Sequence, residues 1–326
     1  MSEQSLGQGE LLAPPASPRR ELRPRSSKSS KRWQTVVVTG LVFCALVSVF
    51  TTIGIIVMLV VESWGFFADD QIEIWKFLTG TKWTVGQTQG ELSYGIWPLL
   101  SGTLRITGIA MMIALPMGLI SAIYLSEYAS KRIRSLLKPT LEILAGIPTV
   151  VLGFFAVKFI TPYMLEPLGD FKTFNATSAG IAVGILCIPL VTSLAEDALQ
   201  AVPNRLREGG YGLGATRLEV TLKVVVPAAL SGIISAFLLA LARAIGETMV
   251  VALAAGSTPT LTLDPRMPSQ TMTGFIVETF KSESVVPGTL SYFSIYAVAA
   301  VLFLITFGIT LIGQIIRMKY REVYDG

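Results

Sequence analysis

Long apolar runs alternate with short polar bursts along this chain, and the lengths of the runs are those of membrane-crossing helices. Val36 to Val61 carries no charged residue. It exceeds the apolar core of a signal peptide, about 7 to 15 residues, and no small-residue cleavage site follows it, so the pattern predicts an uncleaved span. Five further stretches reach the roughly 20 residues needed to cross a bilayer, at about 98–125, 139–163, 178–199, 228–256 and 292–316. Residues 1–32 are rich in Pro, Ser and Arg without apolar periodicity, a composition that predicts a disordered basic tail. No fixed-period repeat and no stretch large enough for a separate soluble domain appears, so residues 33–326 are expected to form one all-α polytopic membrane domain of six helices.

Composition agrees. With 52% hydrophobic and 15% charged residues and a mean hydropathy of +0.61, the 326-residue chain has too little polar surface to coat soluble domains. It contains no histidine, which excludes His general bases, His-ligated zinc and His-containing triads. Cys44 and Cys187, both inside apolar runs, are read as small buried hydrophobes with neither disulfide nor metal spacing.

Basic residues remain on the cytoplasmic side during insertion. With a cytoplasmic N-terminus, 18 of the 26 Lys and Arg fall inside: the tail, 131–138, 205–223 and 317–321. Only Lys76, Lys82, Lys172, Arg266 and Lys281 fall outside, so both termini are expected in the cytoplasm. The net charge of +4 is then explained by topology and anionic lipid, with no nucleic-acid partner. Trp64, Trp75, Trp83 and Trp97, with Phe66, Phe67 and Phe77, are expected to form an interfacial belt rather than a docking surface.

The longest inner connection, Gln200 to Val226, has an informative spacing. Glu208, Gly209 and Gly210 are followed by Gly214 and then by Val224, Val226 and Pro227. This resembles the EAA loop of binding-protein-dependent ABC transporter permeases, with glycines where alanines are usual. Pro203 and Asn204 can start a short helix, Gly214 can take the positive φ that ends it, and Ala215 to Lys223 can form a second. Bare small residues would let a partner approach, and Glu208 would offer it a carboxylate. The alternative is an amphipathic helix lying on headgroups. No phosphate-binding G-x-x-x-x-G-K-[ST] occurs in the chain, so ATP must be hydrolysed elsewhere.

Ionisable residues inside spans cost about 2.5 to 3.5 kcal/mol near the centre on insertion scales. The pattern puts Arg243 at the midpoint of the fifth span and Glu247 one turn on, on the same face. The string Ala242 to Val250, ARAIGETMV, resembles the R-A-[IL]-G-E-T signature of phosphate-specific ABC permeases, and Met249 leans toward their C-type subunit. Gly102 to Leu104, Ala122 to Ala129 (AIYLSEYA) and Ile147 to Thr149 (IPT) look alike, and the resemblance runs from about residue 35 to the end. It implies a MetI-like permease fold, inorganic phosphate as substrate, and Arg243 and Glu247 as the intramembrane pair, with Thr248 completing the signature. A guanidinium can hold two oxygens of a tetrahedral anion. A carboxylate can accept the O–H that phosphate keeps and sulfate lacks. The alternative is a self-neutralising i,i+4 ion pair.

Other charges are weaker candidates. Arg105 either lines the entrance or snorkels. Glu142 is expected in the first turn after Pro139, Lys158 near an outer end, and Glu196 with Asp197 on a solvated or partner-facing edge. Pro116, Pro148 and Pro189 would free carbonyls within spans, and Thr149 could then line a path. The reading is a permease subunit of a phosphate importer in a bacterial cytoplasmic membrane, without an ATPase site, metal or cofactor of its own. The resemblance implies a second, A-type permease, an ATPase dimer binding ATP and Mg, and an extracytoplasmic binding protein. The alternatives are a permease for molybdate or sulfate, or a stand-alone channel or carrier.

Overall fold

The computed structural model describes residues 28–85, 93–282 and 285–321. Contacts divide the chain between Ile55 and Ile56. Helix α1, Lys28–Phe67, begins inside the stretch expected to be tail, and the rest of that stretch lies outside the described residues. From Trp33 to Ile55 every side chain is exposed, including Cys44, which was expected to be buried. Apolar groups dominate this stretch, so hydrocarbon is their natural solvent.

From Ile56 onward come α2 (Ile74–Thr79), α3 (Trp97–Ile123), α4 (Lys131–Ala145), α5 (Thr149–Phe155), α6 (Ala176–Gln200) and α7 (Asn204–Gly212). They are followed by α8 (Arg217–Val220), α9 (Val226–Ala228), α10 (Leu230–Ile245), α11 (Met249–Ala254), α12 (Met272–Lys281) and α13 (Leu290–Arg321). Wider, π-helical turns extend α3 through Tyr124–Tyr128, α5 through Ala156–Leu165 and α8 through Thr221–Val225. Among the described residues five helical stretches are long and apolar enough to cross a membrane, and Arg217–Ala228 with Leu230–Ile245, bent by 70°, makes a sixth if the pair counts as one span.

Helices α3 and α6 form the centre. Lipid tails are as apolar as leucine, so packing rather than water exclusion must hold them, which favours small residues at the contact. A Cβ added at Gly118 would come within 2.6 Å of Val191, and one at Gly180 within 2.7 Å of Ile109. Ala110, Ala114, Ala179 and Ala182 complete a buried seam. A second cluster joins the end of α1 to α12 and α13. Trp83 meets Phe275 edge-on at 5.0 Å and Phe66 meets Phe77 at 5.6 Å, contacts worth about 0.5 to 1.5 kcal/mol each beyond area burial. The expected aromatic belt is therefore split. Trp64, Trp75 and Trp97 are exposed, whereas Trp83, Phe66 and Phe77 are core.

Two expected spans are interrupted. The one at 139–163 is broken at Gly146 to Pro148. Ser130 caps α4 by accepting from the Ile133 amide, so the helix starts before Pro139 and none of its residues is buried. Glu142 consequently lies in the last turn of α4, where its carbonyl accepts from Gly146, and not in a first turn. Pro148 stands in the break, while Pro116 and Pro189 lie within α3 and α6. The span at 228–256 is bent at Ala229 and broken again at Gly246 to Thr248. The helices after the two breaks pack together, because a Cβ on Gly153 of α5 would lie 3.1 Å from Leu253 of α11.

Candidate functional site: a cleft at a broken helix and an inner joint

Arg243 occupies the last turn of α10 and not the middle of a continuous span. The Gly246 amide bonds to the Ala242 carbonyl at 3.2 Å and the Glu247 amide to Ala244 at 3.3 Å, after which the helix stops. Thr248 adopts φ −115° ahead of α11, and its hydroxyl donates to the Gly246 carbonyl at 3.2 Å. Broken backbone at membrane depth is tolerated where protein satisfies it. Here Thr273 of α12 donates to the Glu247 carbonyl at 2.7 Å, and the buried Glu247 carboxylate accepts from the Val250 amide at 3.4 Å.

The break separates the two charges. Among the described residues no ion pair joins Arg243 to Glu247, so the self-neutralising pair is absent from this structure. The exposed Arg243 lines a cleft of about 280 Å³ between α4, α6 and α10, with Lys138, Glu142, Pro189, Ser193 and Glu196. Glu196, expected with Asp197 on a solvated or partner-facing edge, is only 1% exposed, covered within the chain itself. Arg134 and Lys138 of α4 reach it at 2.7 and 3.3 Å, and Lys138 also holds the exposed Asp197 at 3.2 Å. These ion pairs tie the C-terminal end of α6 to α4. Thr149 is the first residue of α5, half-buried beside the other break.

Arg105 is half-buried and tied to another part of the chain. Its guanidinium donates to the Asp264 carbonyl at 2.8 Å and to Ser269 Oγ at 2.6 Å, anchoring the loop between α11 and α12 to α3. Asp264 in turn accepts twice from Arg266, at 3.0 and 3.1 Å, and this guanidinium holds its carboxyl below the usual range. Met272 of α12 donates its amide to Thr103 Oγ1 of α3 at 3.0 Å.

On the side assigned to the cytoplasm, α7 starts after Pro203 and ends where Gly214 takes φ +81°, a conformation that glycine adopts without steric cost. Thr216 and Glu219 form a capping box that starts α8. Gly210 faces inward, and an added Cβ would come within 2.9 Å of Val220. Gly209 faces open space, Glu208 is exposed beside it, and Leu213 is 90% exposed. Pro227 is exposed in α9 before the bend. The two expected short helices form, but of the two glycines only Gly209 lies on the open side.

Sequence reasoning missed Glu127, Arg207 and Arg217. Arg207 and Glu127 form an ion pair at 2.9 Å with side chains only 15% and 6% exposed. Arg217 donates to the Glu127 carbonyl and lies 4.9 Å from the centre of the Tyr128 ring. A carboxylate closing a span, with two arginines in the next inner loop, was the available signal.

Comparison with known proteins agrees with this architecture. The family model described as "Binding-protein-dependent transport system inner membrane component" matches residues 114–321. A probable ABC transporter permease protein of Bacillus subtilis, YqgH, is 32% identical over 72% of this chain and 75% of its own length. The phosphate transport system permease protein PstC of Mesorhizobium japonicum is 30% identical over 75% of this chain and 78% of its own. Among solved structures, a bacterial ABC transporter involved in alginate import covers 90% of this chain and 100% of its own at 17% identity, with a TM-score of 0.58. The inward-facing MetNI methionine ABC transporter covers 69% of this chain and 94% of its own at 18% identity, with a TM-score of 0.52. The last two speak to the fold alone. By the span of the family match and the identity to these relatives, the chain belongs to the family of binding-protein-dependent transport system inner membrane components.

Proposed function

We propose that this chain is a membrane-spanning permease subunit of an ATP-driven importer of inorganic phosphate, placed in the cytoplasmic membrane with both termini inside. It pairs with a second permease to enclose the path, takes substrate from an extracytoplasmic binding protein, and is driven by an ATPase that supplies the ATP and Mg sites. The phosphate assignment is supported by relatives named for phosphate transport and by the R-A-I-G-E-T string.

The observation that carries the reading is Arg243, exposed on a largely apolar cleft at a broken helix with no ion pair to Glu247 among the described residues. Its planar fork binds two oxygens of a tetrahedral anion. Glu247, across the break, accepts the O–H of phosphate and repels sulfate, which has none. Thr248 and Thr149 add hydroxyls beside the two breaks, and Arg105 fixes the outer loop that borders the entrance. The exposed Glu208, the open side of Gly209 and the turn at Gly214 form the face that receives the ATPase, with Gly210 and Pro227 holding that face against α8 and at the bend.

The test is uptake of labelled phosphate into vesicles containing the complete complex, with sulfate as competitor. ATP-dependent uptake that sulfate does not compete, and that Arg243→Lys lowers without loss of the complex, is expected. Competition by sulfate or molybdate would replace phosphate with another oxyanion. Normal uptake by both Arg243→Lys and Glu247→Gln would remove the ligand assignment.

A further inference from the structure

The inner joint contains a buried carboxylate that the substrate path does not use. Glu127 lies in the π-helical turn that ends α3, and Ser126 Oγ donates to its Oε1 at 3.0 Å. Arg207 precedes the exposed Glu208 by one position but points the opposite way, into the protein. Its Nη2 donates to Glu127 Oε1 at 2.9 Å and its Nε to Oε2 at 3.4 Å. The same guanidinium donates to the carbonyls of Leu199 at 2.8 Å and Val202 at 2.6 Å, and to Asn204 Oδ1 at 3.2 Å. All five N–H donors of Arg207 are thereby engaged. Arg217, on the far side of the Gly214 turn, closes on the backbone of Glu127 and the ring of Tyr128.

This arrangement decides where a push on α7 goes. Alone, α7 is too short and too rich in glycine to be a stable helix. The covalent route from it to α10 runs through α8, a π-helical turn and the 70° bend at Ala229, and so is long and indirect. The side-chain route is stiff. A charge-assisted, two-oxygen contact in a water-poor site fixes both distance and orientation. It joins α7 to the end of α3 directly and to the end of α6 through Leu199.

We infer that Glu127 is the positioning residue through which movement of α7 enters the membrane: α7 and the inner ends of α3 and α6 move as one body, clamped by Arg207 on the carboxylate and Arg217 on the backbone. This rests on the reading of α7 as the ATPase-facing element, and it names the helix that receives the stroke. Helix α3 carries Arg105 toward its other end, so one continuous helical run connects the ATPase face to the anchor of the loop between α11 and α12.

The test uses spin labels at Gly212→Cys on α7 and Tyr124→Cys on α3, in a Cys44→Ser background of the complete complex. Both positions are exposed, and a Cβ at Gly212 meets nothing within 4 Å. The distance between the labels is expected to be the same without nucleotide and with trapped ATP and vanadate. A distance that changes with nucleotide overturns the inference, and this reading needs no substrate, so it stands or falls apart from the phosphate assignment. In the same complex, Glu127→Gln keeps a hydrogen-bonding shape but loses the charge. It is expected to broaden the label distance and to lower phosphate moved per ATP by about tenfold or more, with the ATPase still bound and active. An unchanged transport-to-hydrolysis ratio overturns the inference. Should that variant fail to assemble, Tyr128→Leu removes only the ring under Arg217. A loss of about threefold in the same ratio is then expected, and no change again overturns it.

Discussion

Two arginines sit within apolar helices, Arg105 in α3 and Arg243 in α10, and hydropathy treats them alike. Their surroundings do not. Arg105 spends its fork on a carbonyl and a serine hydroxyl of the outer loop, whereas Arg243 faces a cleft and has no carboxylate partner among the described residues. An intramembrane cation needs a reason to be there. For Arg105 the reason is structural and internal to the chain; for Arg243 the proposed reason is a ligand that comes and goes. The difference follows from what lies opposite each residue, which spacing along one helix cannot reveal.

The comparison breaks most easily at Arg243. Arg243→Ala is expected to reduce phosphate uptake about 100-fold, the loss of two charge-assisted hydrogen bonds worth roughly 1.5 kcal/mol each, while the complex and its thermal midpoint stay near wild type. Arg105→Ala should show the reverse emphasis. The chain between α11 and α12 loses its tie to α3, so amide exchange and protease cleavage in residues 257–271 should rise and the thermal midpoint should fall. Uptake should drop only about threefold to tenfold, through disorder at the entrance. Equal effects of the two substitutions on uptake and on loop protection would erase the distinction.

A smaller effect separates neighbouring glycines at the inner joint. Gly209→Ala meets open space and removes a helix-destabilising residue, so it should stabilise α7 by roughly 0.5 to 1 kcal/mol. Gly210→Ala gains the same propensity but presses on Val220 at 2.9 Å, which cancels part of that gain. Thermal unfolding of the two variants measures the difference. Only Gly209→Ala is also expected to alter ATPase binding, because only that position opens outward.

Continuous elements were legible in the sequence because they depend on one local property. The spans at 98–125, 178–199 and 292–316 lie within α3 and its extension, α6 and α13, since a run of apolar residues is helical in any case when its backbone must satisfy itself. The loop chemistry was equally legible. Pro203 and Gly214 act on their immediate neighbours and do what their backbone preferences require, whereas the capping box at Thr216 was not read. The breaks at Gly146 to Pro148 and Gly246 to Thr248 were not, because hydropathy continues across them and the groups that satisfy the interrupted backbone, such as Thr273 on Glu247, come from elsewhere in the chain. For the same reason Glu196 was misplaced. Its cations, Arg134 and Lys138, belong to α4, and α4 was expected to be partly intramembrane. Trp83 likewise looked like an interfacial ring until Phe275 closed over it.

The smallest expected effect tests whether the Arg105 side of the comparison depends on charge. Asp264 offers its carbonyl to Arg105 and its carboxylate to Arg266, and Arg266 holds that carboxyl below the usual range. A carboxylate depressed in the folded state contributes order that is fully present above its unfolded value near ~4 and is lost as pH falls through the lower folded value. Amide exchange in residues 257–271, corrected for its intrinsic pH dependence, should therefore be flat from neutral pH down to about 5 and should rise only below about 4. Asp264→Asn should show the acid-like exchange already at neutral pH, and more weakly than Arg105→Ala, because the Asp264 carbonyl still receives the Arg105 guanidinium. If Asp264→Asn loosens the loop as much as Arg105→Ala does, the anchor is the exposed ion pair with Arg266 and not the buried guanidinium. The structural role assigned to Arg105 would then pass to Asp264.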